Sequence, residues 1–150
     1  ASEIVAEIAR ARGRVDRGLT EAALLLRVER FEQAADLLSQ AAGLIPDKPD
    51  RWREPLLRAL ISAGDDHYIL RNYGSALGFY TRAMDRLGSS SVKRLGEETL
   101  WRWAHCYAMN LARTAPLKRS PQQWQAIVEQ RYRCLFQRHR LGAPSRRKVS

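Results

Sequence analysis

Strand patterning is missing from this sequence. No segment alternates apolar and polar residues over the four to eight positions that a half-buried strand requires, so no sheet is expected. Chain punctuation is also sparse: six prolines and nine glycines in 150 residues leave long stretches rich in Ala, Leu and Arg, a mixture that favours helix. Only two cysteines occur, Cys106 and Cys134, in neither a CxxC nor a Cys/His ligand spacing. A zinc site is therefore not expected, and two isolated thiols in apolar-patterned helices read as buried side chains, with a disulfide between them as the alternative. No apolar run is long enough for a membrane span or the core of a signal peptide, so a cytoplasmic domain is expected. The first residue is Ala1 and not Met, which points to a processed or excised segment.

Chemical motifs are absent as well. The sequence has no GxGxxG, no Walker loop, no HExxH and no GxSxG, and Gly64 and Gly74 stand alone within helical patterns. Three histidines occur, His67, His105 and His139. His105 precedes Cys106, but adjacent helical residues project about 100° apart and do not face each other as base and nucleophile. Asp65-Asp66 supplies too few convergent oxygens for a metal. No catalytic residue, cofactor or metal is expected, and the chain reads as a binding protein.

Charge is unevenly placed. Residues 113–150 hold ten Lys/Arg against the single acid Glu129, a net of +9 of the chain's +10. Residues 1–112 are close to neutral, with sixteen basic and fifteen acidic side chains. A nucleic-acid-binding domain is expected to spread basic residues over a whole face, with aromatics exposed for stacking. Here the excess is confined to the last quarter. The candidate anion contacts are Arg131, Arg133, Arg138, Arg140, Arg146, Arg147 and Lys148.

Apolar periodicity and cap residues predict about seven helices. They cover residues 2–15, a short helix starting at Thr20, 31–45, 53–70, 73–87, 97–113 and 121–140, followed by a basic tail at 142–150 that is expected to be disordered. Ser120-Pro121-Gln122-Gln123 is a strong helix start: cap, proline at the first position, glutamine at the third. Within 121–140, Trp124, Ile127, Val128, Tyr132 and Leu135 fall broadly on one side.

One pattern is repeated. Phe31, Ala34, Leu38, Ala41 and Ile45 correspond to Tyr73, Ala76, Tyr80, Ala83 and Leu87, each pair 42 residues apart. Spacings of 3, 4, 3 and 4 put all five on one helix face. The alanines let a neighbouring helix approach, and the large residues fill the space beside it. Val28-Glu29-Arg30 and Leu70-Arg71-Asn72 precede the two copies as equivalent turns. Leu60, Ala63, Gly64, His67 and Tyr68, on the helix before the second copy, resemble the first helix of a tetratricopeptide repeat, and the resemblance implies that this helix presses on the next at Gly64.

These segments resemble tetratricopeptide repeats, most closely over residues 18–88. The resemblance implies an all-α fold of antiparallel hairpins stacked as a short right-handed solenoid, with 18–46 and 53–88 as repeat-like hairpins, 97–140 as a capping hairpin and 2–15 as an extra N-terminal helix, all within one domain over 1–141. The period of 42 exceeds the family's, about 34, which places an insertion of roughly eight residues around 46–56. The first copy has Glu21-Ala22 where a large–small pair belongs, and Trp124, Ile127 and Arg131 depart from the pattern in the third hairpin. Leu19, Ala23 and Ser62 stand where some members carry a basic clamp for a C-terminal carboxylate, so that mode of binding is not expected.

The family resemblance implies a scaffold or adaptor that accepts a helix or extended peptide of another protein, often in assembling a larger complex. RNA or DNA contact through the basic quarter is the alternative. Ile4, Val5 and Ile8 form an apolar face that needs a cover. That cover is the domain's own groove, a partner protein or a second copy of this chain.

Overall fold

The computed structural model describes residues 2–87 and 96–132. Among them are six α-helices and no strand: α1 Ser2–Arg27, α2 Phe31–Leu44, α3 Arg53–Ile69, α4 Tyr73–Leu87, α5 Gly96–Thr114 and α6 Pro121–Arg131, with a short 3-10 turn at Pro49–Arg51. The all-α expectation holds, and the helix count is six instead of seven. The difference lies at the N-terminus, where residues 2–15 and the segment from Thr20 form one 26-residue helix. Thr20 is not a cap: its hydroxyl donates to the Asp16 carbonyl, the back-bond of a Thr inside a helix. Gly18 interrupts nothing, because one glycine costs only about 1 kcal/mol against Ala and the apolar register runs through it. The segment after Tyr132, including the end of the expected helix 121–140 and the tail, lies outside the described residues.

The chain divides into two compact units, Ala1–Ala63 and Gly64–Ser150, and α3 contributes to both. In the first unit α1 turns back on α2 through Val28-Glu29-Arg30. The Arg30 N–H donates to the Leu25 carbonyl at 2.9 Å and the Glu29 N–H to that of Leu26 at 3.2 Å. With Glu29 at φ 61°, this is a Schellman turn. Val15, Ala22 and Leu26 of α1 are buried, as are Ala34, Leu38 and Ala41 on the repeated face of α2. The insertion expected around 46–56 contains the 3-10 turn and Trp52. Trp52 is 5% exposed and its indole N–H donates to the Ile45 carbonyl at the end of α2 at 2.9 Å. Arg51 reaches Asp16 of α1 at 2.8 Å, tying the inserted segment to that helix.

In the second unit the same turn recurs. The Asn72 N–H donates to the His67 carbonyl at 2.8 Å, the Arg71 N–H to that of Tyr68 at 2.9 Å, and Arg71 has φ 61°. Neither left-handed position is glycine, and the two are 42 residues apart. Ala76, Tyr80 and Ala83 of α4 are fully buried, the burial pattern of Ala34, Leu38 and Ala41. Phe31 and Tyr73, which open the two copies, are both half-buried.

Gly64 of α3 lies under the Tyr80 ring. A methyl group at Gly64 would stand 2.7 Å from the ring's Cε1. The ring is pinned, since the Tyr80 hydroxyl donates to Asp65 at 2.5 Å and Arg102 of α5 pairs with the same carboxylate oxygen at 2.9 Å. α4 packs on α5 and α5 on α6. Trp103 meets Tyr107 and Tyr132 edge-on at centroid distances of 5.6 and 4.9 Å. α6 begins with the expected capping box: Ser120 Oγ accepts from the Gln123 N–H at 3.2 Å, and Gln123 Oε1 accepts from the Ser120 N–H at 2.9 Å.

Gly64→Ala gains about 1 kcal/mol of helix propensity but forces a buried, hydrogen-bonded ring to move, and overpacking of this kind costs roughly 1–3 kcal/mol. Chemical denaturation is expected to show a net loss of stability for Gly64→Ala. Ala83→Leu, on the same face of α4 as Tyr80, is expected to lose roughly 1–3 kcal/mol. Unchanged midpoints for both variants would contradict this packing.

Candidate functional site

Ile4, Ile8, Ala11, Val15, Ala22 and Leu26 mark one stripe along α1, at helical spacings of three, four and seven. α1 has 26 residues and α2 has 14, about 39 and 21 Å at the helical rise. An antiparallel partner of that length covers only part of α1. Val15, Ala22 and Leu26 are buried, whereas every residue from 2 to 10 is exposed. Ile4 and Val5 are each 66% exposed and Ile8 is 48% exposed. The three expected partner-binding residues are thus brought together on the front half of α1. Cover by the domain's own groove, one of the three alternatives, is not formed among the described residues, because the front half of α1 extends past α2. Glu7 and Arg10 form an exposed 2.6 Å pair on the same segment.

Of the candidate anion contacts, Arg131 is described. It is exposed in the last turn of α6, with its guanidinium carbon 5.8 Å from the Tyr132 ring centroid. Arg133, Arg138, Arg140, Arg146, Arg147 and Lys148 lie outside the described residues, as do Leu135, Cys134 and His139. On α6, Val128 is buried, Trp124 half-buried beneath Arg119 at 5.0 Å, and Ile127 36% exposed.

The structure also shows a cationic cleft that sequence reasoning missed. Arg71, Asn72, Tyr73 and Ser75 at the start of α4, with Asn110 and Arg113 of α5, line a volume of about 400 Å³. No carboxylate lines it among the described residues, and Gly74 leaves room for Arg113, whose Nη2 would lie 3.5 Å from a Cβ there. The Arg71-Asn72 turn was visible in sequence. Its meeting with Arg113 depends on the packing of α4 on α5.

Titratable groups of the second unit gather where α3, α4 and α5 meet. The Tyr68 hydroxyl and His105 Nδ1 share a 2.7 Å hydrogen bond, and the His105 ring also lies 5.1 Å from that of Tyr73. Burial lowers the His105 pKa below its ordinary value and raises that of Tyr68. The Tyr80 hydroxyl is raised further, first by burial and then by its bond to Asp65. Burial pushes the Cys106 thiol up to about 12, so it is held protonated, away from the thiolate that nucleophilic chemistry needs. No group of three or more His, Cys, Asp or Glu side chains converges as a metal site among the described residues.

The lowered His105 pKa has a definite sign. Above about pH 6.5 the ring is neutral in both folded and unfolded chains and adds no pH dependence. As pH falls below that value, the unfolded chain takes up a proton that the folded chain resists, so stability declines towards the lower folded pKa. Between pH 7 and 5 the wild type is expected to lose more thermal stability than His105→Gln. Equal losses would show that His105 is not the titrating group.

No helix among the described residues is long and apolar enough to cross a membrane. No family model, curated protein or solved structure matches this chain.

Proposed function

We propose that this chain is a tetratricopeptide-like adaptor that binds a partner protein through the exposed front half of α1. One observation carries the reading: the stripe that is buried at Val15, Ala22 and Leu26 continues through Ile8 and Ile4 into solvent. A contiguous apolar strip on a long helix is a docking surface by the usual physics of exposed patches. Its helical period suits a helix laid alongside it. The solenoid arrangement of the hairpins belongs to the same proposal, supported by the two Schellman turns and the matching burial of α2 and α4. So does residence in the cytoplasm, with which the free Cys106 thiol is compatible.

The net +9 of residues 113–150 favours a second reading, in which the basic quarter contacts RNA or DNA. Such contact is carried by phosphate neutralisation and weakens steeply with salt.

The test is capture from extract on the immobilised chain, with and without nuclease. The variant Ile4→Ser, Val5→Ser, Ile8→Ser is expected to lose the nuclease-resistant partner while its unfolding temperature stays close to the wild type's, because all three side chains are exposed. Undiminished capture by the variant would sink the α1 reading. Capture that disappears with nuclease and moderate salt would favour the basic quarter.

A further inference from the structure

We propose that the cleft between the start of α4 and the end of α5 is a binding site for a phosphate monoester. The inference is independent of the docking reading of α1, and the failure of either leaves the other standing.

Two guanidiniums border one cavity here. Arg71 comes from the turn before α4 and Arg113 from the last turn of α5, and both line the space of about 400 Å³. That volume is in the range of small-ligand sites. Both side chains are exposed, and neither has a carboxylate partner among the described residues. Arg113 Nη2 donates to Asn110 Oδ1 at 3.3 Å, which seats the guanidinium beside the cleft and uses only one of its N–H donors. Two cations bordering one cavity repel each other until an anion joins them.

The first copy of the repeated pattern carries the acid that this place lacks. Arg71 corresponds to Glu29, and Gly74 corresponds to Glu32. The backbone is the same at both, a Schellman turn leading into a helix. α2 has Glu32 in its first turn, whereas α4 has no acid there. A Cβ at Gly74 would meet Arg113 Nη2 at 3.5 Å. A carboxylate in the first copy is thus replaced in the second by open space with a guanidinium beside it. An anion supplied from outside fits that exchange.

Charge selects the class of anion. One carboxylate balances one guanidinium. A phosphate monoester carries about −1.5 to −2 at pH 7 and has several strong acceptor oxygens, so it can answer both arginine forks together. Asn72, Ser75 and Asn110 add uncharged polar groups around the same space. The positive end of the α4 dipole reinforces the potential, but the two arginines from separate elements make the site.

Amide NMR shifts of the intact isotope-labelled chain test this. Glycerol phosphate is expected to give saturable shifts at residues 71–75 and 110–113 at millimolar concentration, and acetate none. Arg71→Gln and Arg113→Gln are each expected to weaken binding by about tenfold or more, with the fold intact because both side chains are exposed. Gly74→Glu restores the acid of the first copy. It is expected to fold, since its new Cβ makes only an ordinary contact, and to abolish the shifts by occupying the site itself. A peptide with one phosphoserine flanked by alanines is titrated in parallel. Tighter binding of the peptide assigns the phosphate to a partner protein, and tighter binding of glycerol phosphate assigns it to a small molecule; both keep the site. Shifts that are absent from the cleft or confined to other parts of the chain overturn the proposal. So do shifts that survive in both arginine variants, or acetate bound as tightly as glycerol phosphate.

Discussion

Gly64 holds the second unit together by having no side chain. The Tyr80 ring occupies the space a Cβ would fill, and that places its hydroxyl on Asp65. Asp65 in turn receives Arg102 from α5, which also reaches Glu98 one turn back on its own helix at 3.2 Å. One missing methyl therefore brings α3, α4 and α5 to a single point. A buried phenol, a carboxylate and a guanidinium satisfy one another there, where any one of them alone would be expensive to bury. The Tyr68–His105 bond and the aromatic contacts of Tyr73 lie beside this point on the same helices.

The first unit is organised by a difference in length. α2 ends at Leu44, where the Trp52 indole N–H donates to the carbonyl of the cap residue Ile45 and Pro46 forbids another turn. α1 has no such stop at its start and continues for several turns past the cover that α2 provides. The same stripe is thus core at one end and surface at the other, without any change in residue type.

Much of this was legible in the sequence. The 42-residue correspondence located α2 and α4 within a residue, and the small residues Ala34, Ala41, Ala76 and Ala83 that it picked out are all buried. Gly64 was readable as a contact point only through the resemblance to a tetratricopeptide first helix; as an isolated glycine it looked no different from Gly74. Ser120 and Gln123 announced their capping box. The break expected between residues 15 and 20 was wrong: Gly18 and Thr20 look like punctuation but cost a long amphipathic helix little. The bond of Tyr80 to Asp65, the salt bridge of Asp65 to Arg102 and the meeting of Arg71 with Arg113 were not legible. Each joins residues on different helices, and no local periodicity records which ends of those helices meet. Ile4, Val5 and Ile8 were legible as an apolar face, but whether it was covered depended on the relative lengths of α1 and α2.

The two left-handed turns have a consequence for how freely this chain can vary. Glu29 and Arg71 occupy equivalent positions, carry opposite charges and are both exposed. The turn geometry is carried by main-chain N–H and carbonyl groups, which every residue but proline possesses. What the hairpin asks of side chains is narrow: a few small residues on one face and a few large ones between them. Two such units can therefore differ at nearly every surface residue, including the sign of the charge at the turn itself, while the backbone keeps the same turn.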